Sequence, residues 1–354
     1  MEDDLSFVQD YWLDTHIMKA FVVTAPKTFE IQDVAEPKAS AGEIVAQVER
    51  VGVCGTDVEF FDGVMPYLHD GQAELPMRLG HEWSGTVIEV GEGVDKSFLG
   101  KKVTSDVMMG CGNCKRCNDG RQHTCADRYE LGIRNGFNGA LANKLLIPAR
   151  FAHILPDSFD FELGALVEPA ANAWRVADAA KAAPGKQILI WGTGTVGLLS
   201  AQFCMAMGAS VHMVGIDPKT IGLALEFGVT SAGTEVKKID GGYHSVVDAT
   251  FDASIPAKLV DIVEPGGRIV LIGVDNHAAQ IDSRKLVFRD ITVVGILSGS
   301  PGFKESIRFI AEGKVDVKKI LGGTVGLNEA GNIFLGNRPV GLGFEPKILV
   351  NPNA

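Results

Sequence analysis

The sequence has no apolar run of the roughly 18 residues that a membrane-spanning helix needs. Its first ten residues, MEDDLSFVQD, are acidic where a secretory leader would be basic and then apolar. No membrane partner is expected, and the cytoplasm is the expected location. Positive charge is also scarce. There are 33 Lys and Arg against 44 Asp and Glu, a net charge of -11, which argues against a face built for a phosphate backbone and hence against a nucleic-acid partner. Only six of 354 residues are cysteine. They do not form a disulfide framework, because four of them, Cys111, Cys114, Cys117 and Cys125, crowd into one loop, so a reducing compartment is expected. The 42 glycines follow no period, which excludes a fibrous repeat. At this length one hydrophobic core gives way to two.

Two textures divide the chain. From about residue 43 to 155, strand-like segments such as EIVAQVERVGV, SGTVIEVGEGV and ANKLLIPA alternate with turn residues, a pattern of antiparallel β-structure. Between about 184 and 296, short apolar runs alternate with helical stretches, as in QILIWG followed by VGLLSAQFCMAMGA, and this βαβ repetition predicts a doubly wound parallel sheet. The fold class is therefore α/β in two domains. Residues 18–158 and 299–354 are assigned to the β-rich domain, with the final EPKILV returning to it as a strand. Residues 159–298 are assigned to the Rossmann-type, doubly wound domain, and residues 1–17, which lack glycine and proline, are an appendage.

Gly192-Thr193-Gly194-Thr195-Val196-Gly197 follows the run QILIW and opens the next helix, the context in which GxGxxG marks a dinucleotide site. Its glycines permit a tight turn and close approach of backbone to a pyrophosphate at the helix N-terminus. A plain tight turn is the alternative. Asp217 lies 20 residues beyond Gly197, the interval expected of a carboxylate on the adenosine ribose. If the strand instead ends at Gly215, Asp217 stands further out with Lys219 nearby, and a 2′-phosphate fits. NAD is favoured over NADP, although Asp-Pro after a strand is also an ordinary turn.

Two clusters have the chemistry of metal ligands. The spacing Cys111-x2-Cys114-x2-Cys117-x7-Cys125 suits a closed tetrahedral zinc site with a structural role. An iron–sulfur cluster or a redox dithiol are the alternatives, and the proline-terminated iron–sulfur spacing is missing. The second cluster is Cys54-Gly55-Thr56-Asp57 with Gly80-His81-Glu82, a thiolate, an imidazole and a carboxylate that together suit a catalytic zinc with an open position. Taken alone, Cys54 reads as core and Glu82 as a solvated strand residue.

Cys-Gly-Thr-Asp, Gly-His-Glu-Trp, the four-cysteine loop, Val-Glu-Pro and the glycine motif, in this order from Met18 onward, resemble the zinc-containing medium-chain alcohol dehydrogenases, in particular the polyol (sorbitol-like), threonine and cyclitol dehydrogenase branch. The resemblance implies a GroES-like catalytic domain, one catalytic and one structural zinc per chain, NAD or NADP as cofactor, and a homodimer or homotetramer. It makes Cys54 and His81 ligands of the catalytic zinc, Glu168 of Val-Glu-Pro a direct or water-bridged third ligand, and Glu82 a ligand or a neighbour of the metal. Glu168 lies in the apolar stretch LGALVEPAANAW, where an unpaired carboxylate is unfavourable; a helix start with Pro169 in its first turn is the other reading.

Thr56 is implied as the hydroxyl that receives the substrate proton, and Asp57 as the carboxylate that orients His81. Where that branch often has histidine, five residues past the ligand cysteine, this chain has Glu59, which suggests a proton relay through a carboxylate or a contact to substrate. Asn172 and Trp174 also depart from the branch and are read as helix packing. The expected activity is reversible oxidation of a secondary alcohol of a polyol, cyclitol, sugar acid or amino alcohol. Oxidation of an aldose at its anomeric carbon is the alternative enzyme, and a silent member of the fold is the alternative outside catalysis.

Overall fold

The computed structural model describes residues 16–354, so residues 1–15 of the expected appendage lie outside the described residues. Ile17–Ala25 and Thr28–Ala35 form an antiparallel hairpin. The larger β-region is a seven-stranded sheet built around Glu43–Gly52, which pairs antiparallel with Glu82–Val90, Lys144–Pro148 and Lys347–Asn351. One pair departs from the antiparallel expectation: Leu321–Gly326 runs parallel to Lys347–Asn351, because the chain between them returns by a crossover that includes a helical turn.

The second region is a six-stranded, wholly parallel sheet. From one edge to the other its strands are Ser231–Gly233, Ser210–Val214, Gln187–Trp191, Tyr243–Asp248, Val263–Leu271 and Thr292–Gly295. The order reverses between Gln187–Trp191 and Tyr243–Asp248, and ligands of such sheets bind at that reversal, beyond the carboxyl ends of the strands. Val, Ile and Leu dominate these strands because helices cover both faces.

Residues 299–320 were expected to belong with the tail, yet the helix Phe303–Ala311 packs on the helix Val167–Ala179. Phe303, Phe309, Ile310 and Val317 share a core with Leu198, Phe203 and Val270 of the parallel-sheet region. Their apolar face needs the helical layer for burial, and the return to the antiparallel sheet comes with Leu321. Among the described residues, no helix is long and apolar enough to cross a membrane.

Candidate active site

Glu43–Gly52 and Glu82–Val90 pair so that Gly52 lies opposite Glu82. This register places the ends of two strands together, and each end carries part of the site. After Gly52 the chain turns through Cys54, the N-cap of the helix Gly55–Asp62. Asp57, fully buried in the first turn of that helix, accepts from the backbone N–H of Cys54 at 2.9 Å and of Gly80 at 3.1 Å. One carboxylate thus ties the loop bearing Cys54 to the loop bearing His81. Gly80 has φ +95°, a conformation that glycine adopts without strain, and a β-carbon there would meet Leu141 and Val51 at 2.9 Å.

Cys54, His81 and Glu82 offer donor atoms that all lie within 4.8 Å of one another. His81 Nδ1 faces Asp57 Oδ1 at 3.4 Å, although the ring N–H makes no well-aligned hydrogen bond. Burial disfavours the imidazolium, but Asp57 and Cys54 outweigh it and hold His81 well above its ordinary range. Burial likewise opposes ionisation of Asp57, and His81 with the two backbone N–H groups still brings its carboxyl below the usual value. The Asp57 carboxylate thus lies against the Nδ1 edge of the His81 ring, where it can act as an acceptor for that imidazole.

Glu82 is buried, not the solvated strand residue of the isolated reading, because its neighbours on the sheet close over it. Its two carboxylate oxygens accept from Lys347 Nζ at 2.7 and 2.6 Å, and the same ammonium donates to the Val53 carbonyl at 2.9 Å. Lys347, only 2% exposed, begins the last strand. Burial disfavours its charge, but Glu82 and Cys54 raise its pKa. Gly52 leaves room for this pair, since a β-carbon there would lie 2.1 Å from Glu82 Oε2. Sequence reasoning missed Lys347. Its one local signal is a charged residue in the buried strand KILVN, a pattern that calls for a partner without naming it.

Glu168, in the first turn of the helix Val167–Ala179, is buried beside this group. Burial, aided by the Glu82 charge, pushes its carboxyl up to about 7 against the pull of His81 and of the Asn172 amide. Asn172 Nδ2 donates to Glu168 Oε1 at 2.9 Å, which corrects the reading of Asn172 as helix packing: one turn along the helix, it reaches the carboxylate. Glu168 is close enough to feel His81 and Glu82, but it is not in the 4.8 Å group. Thr56 and Glu59 are partly buried and three residues apart, on one face of the helix that Cys54 caps. Burial raises the Glu59 carboxyl.

The four cysteines of the loop lie within 4.8 Å of one another. Sulfur separations are 4.0 Å for Cys111–Cys117, 3.6 Å for Cys114–Cys117 and 3.7 Å for Cys114–Cys125. A tetrahedron with metal–sulfur bonds of about 2.3 Å has edges of about 3.8 Å, so the cage fits zinc, and the distances are far beyond a disulfide bond. Backbone N–H groups of Asn113 and Cys114 bring the Cys111 thiol down to about 7, while burial and neighbouring thiols push Cys117 up to about 12. For all four sulfurs to be ionised at this spacing, a cation would have to sit among them. Gly110 makes space for the cage, because a β-carbon there would stand 2.6 Å from Cys117 Sγ.

At the carboxyl end of Gln187–Trp191 each motif glycine has its own reason. Gly192 has φ +115° and a β-carbon on it would meet the Ala249 carbonyl at 2.5 Å; one on Gly197 would meet the Gly192 carbonyl at 2.0 Å. A β-carbon on Gly194 would meet nothing, so the backbone there is open to a ligand where Thr195 and Val196 start the helix Thr195–Ala206. The strand Ser210–Val214 ends before Gly215, the register that sets Asp217 further out with Lys219 nearby, where a 2′-phosphate also fits, and Asp217 caps the next helix by accepting from the Lys219 N–H at 3.0 Å. A β-carbon on Gly215 would collide with Thr193 Oγ1 at 2.2 Å, so this turn packs directly on the glycine motif.

Residues 40–157 match the alcohol dehydrogenase GroES-like domain, and residues 195–312 match the zinc-binding dehydrogenase domain. The uncharacterized zinc-type alcohol dehydrogenase-like protein YdjJ of Escherichia coli (strain K12) is 30% identical over 85% of this chain and 89% of its own. The 2-dehydro-3-deoxy-L-galactonate 5-dehydrogenase of Pseudoalteromonas atlantica is 30% identical over 93% of this chain and 97% of its own. Among solved structures, a protein of Sinorhizobium meliloti 1021 described as a zinc-binding dehydrogenase and bound to NADP superimposes with a TM-score of 0.86, at 26% identity, covering 95% of this chain and all of that one. The chain belongs to the zinc-type alcohol dehydrogenase family, whose GroES-like and Rossmann-like halves account for its two sheets. It is accordingly an oxidoreductase of the zinc-dependent, NAD(P)-linked kind.

Proposed function

We propose that this enzyme oxidises a secondary hydroxyl of a small polyol, sugar acid, cyclitol or amino alcohol to the ketone, reversibly, with NAD as the preferred cofactor. The observation that carries this reading is the convergence of Cys54, His81 and Glu82 beside the helix that presents Thr56 and Glu59. Cys54 and His81 would hold the catalytic zinc, with the carboxylate supplied by Glu82 or Glu168, and the four-cysteine cage would hold the structural one. A bound zinc supplies Lewis-acid polarisation of the substrate hydroxyl, which lowers its pKa toward neutrality.

The chain's own groups do the rest. Asp57 fixes the His81 ring, so that its other nitrogen is presented to the site. Lys347 neutralises Glu82 and keeps two neighbouring carboxylates from repelling each other. Thr56 takes the proton of the substrate hydroxyl while giving its own to Glu59, on the same helix face, which passes it toward solvent; where Glu59 instead holds a second hydroxyl, water takes the Thr56 proton. The Gly194 backbone and the N-terminus of Thr195–Ala206 bind the cofactor pyrophosphate. Asp217, with one oxygen used in capping its helix, offers the other to the ribose hydroxyls and repels a 2′-phosphate.

The apolar edge near Val287, Phe288 and Val293, exposed at 77%, 84% and 39%, supports assembly into a homodimer or homotetramer. The test is a panel of polyols, cyclitols, sugar acids, threonine and aldoses, each with NAD and NADP, together with a zinc count. Turnover of a secondary alcohol and two zincs per chain is the expected result. A lactone product from an aldose, with no ketone from any polyol, overturns the substrate class. Asp217→Ala is expected to shift preference toward NADP; an unchanged preference removes Asp217 from the ribose site.

A further inference from the structure

A cleft of about 500 Å³, within the range of small-molecule pockets, lies outside the site described above, on the face of the N-terminal hairpin where Met18 opposes Val34 and Ala20 opposes Gln32. Its walls are apolar, with Val22, Val34, Pro76, Phe137 and Leu146 among them, and no carboxylate lines it. Arg78 also lines it and is only 9% exposed. Its Nε has no hydrogen-bond partner among the described residues, and no acidic group pairs with it there. Glu30, on the same hairpin face opposite Val22, takes a hydrogen bond from Gln32 instead. Burial alone acts on the guanidinium, pushing it down to about 10.

An unpaired buried cation is strongly unfavourable, and a guanidinium fork matches a carboxylate in two parallel hydrogen bonds. We propose that this cleft binds a carboxylate carried on an apolar body, anchored by Arg78 with the Asn138 amide beside it. The single cation selects one acidic group, and the apolar walls select the body. Two sources supply that chemistry: a free small-molecule monocarboxylate, or the chain's own first fifteen residues, where Glu2, Asp3, Asp4, Asp10 and Asp14 accompany Phe7, Tyr11 and Trp12 a short step before Met18 in sequence.

The experiment is thermal unfolding of the full-length protein with hexanoate as probe and hexanol and inorganic phosphate as controls. Three proteins are compared: wild type, Arg78→Met, and a full-length variant with the five N-terminal acids changed to their amides. A free ligand is indicated if hexanoate at about 100-fold above its Kd raises the wild-type Tm by several degrees, while hexanol and phosphate do not. The chain's own carboxylate is indicated if wild type is silent and the amide variant responds. In either case Arg78→Met abolishes the response. Should Arg78→Met fail to fold, Arg78→Lys keeps the charge but not the fork, and is expected to weaken the response at least tenfold in Kd. Absence of an Arg78-dependent hexanoate response in both wild type and amide variant overturns the proposal, as does an equal response to hexanol.

Discussion

The two groups of metal-type ligands in this chain are built in opposite ways. The four cysteines come from one fifteen-residue loop whose backbone has only short helical turns, at Lys115–Asn118 and Gln122–Thr124. Cys111, Cys114 and Cys117 are partly exposed, and their geometry is set by local spacing. Cys54, the adjacent His81 and Glu82, and Glu168 come from three places in the chain, and Asp57, Asn172 and Lys347 hold them through contacts up to 265 residues apart in sequence. For its sulfurs all to be ionised, the local cage needs a cation among them. The long-range site is held together by a buried ion pair and hydrogen bonds among its own side chains and backbone. Metal should therefore act on folding at the first site and on chemistry at the second.

The largest effect that tests this contrast is at the cage. Cys114→Ser is expected to release one zinc and lower the Tm sharply, since structural zinc contributes about 10–16 kcal/mol in isolated zinc-finger peptides, while the activity of each molecule that remains folded stays near wild type. Metal analysis with differential scanning calorimetry checks it, and an unchanged Tm after loss of one zinc would break the contrast.

The next effect lies in the long-range site. Lys347→Ala leaves Glu82 buried without its cation and is expected to cost about 3–5 kcal/mol by denaturant titration. Lys347→Met combined with Glu82→Gln should recover most of that loss, and a double variant as unstable as the single one would show that the pair is not what matters.

Asp57→Asn, which removes the charge that faces His81, is expected to weaken zinc affinity or turnover about 10- to 100-fold with a smaller change in stability. Competition with a zinc-specific chelator measures the affinity directly. Equal losses from Asp57→Asn in stability and in affinity would make Asp57 a packing residue and blur the distinction between the sites.

Glu59 sharpens the comparison with the smallest effect. Burial raises its folded-state pKa, so the fold favours the protonated form; that stabilisation is present below the unfolded pKa of about 4.3 and is lost as pH rises through the folded value. Glu59→Gln should therefore unfold at a slightly higher temperature than wild type at neutral pH, with the gap closing toward acid. Its kinetics separate two roles: a lower kcat with an altered pH profile assigns proton transfer, whereas a raised KM with an unchanged profile assigns substrate binding. A variant identical to wild type in all three respects makes Glu59 a bystander.

The sequence by itself determined the features whose physics is local. The cysteine spacing specifies a cage because all four ligands sit within a few peptide units of one another, and the glycine motif is legible because strand, turn and helix follow in order. The alternation of apolar runs and helical stretches likewise led to the parallel sheet. Tertiary structure alone decided that Lys347 closes on Glu82, because a lysine in a buried strand announces the need for a partner and only strand register chooses which carboxylate meets it. It also decided that Asn172 reaches Glu168 and that residues 299–320 pack with the helical layer, since both depend on which apolar faces remain to be buried once the sheets have formed. Charge and spacing along the chain state what a side chain requires, and the fold settles which of many distant groups supplies it.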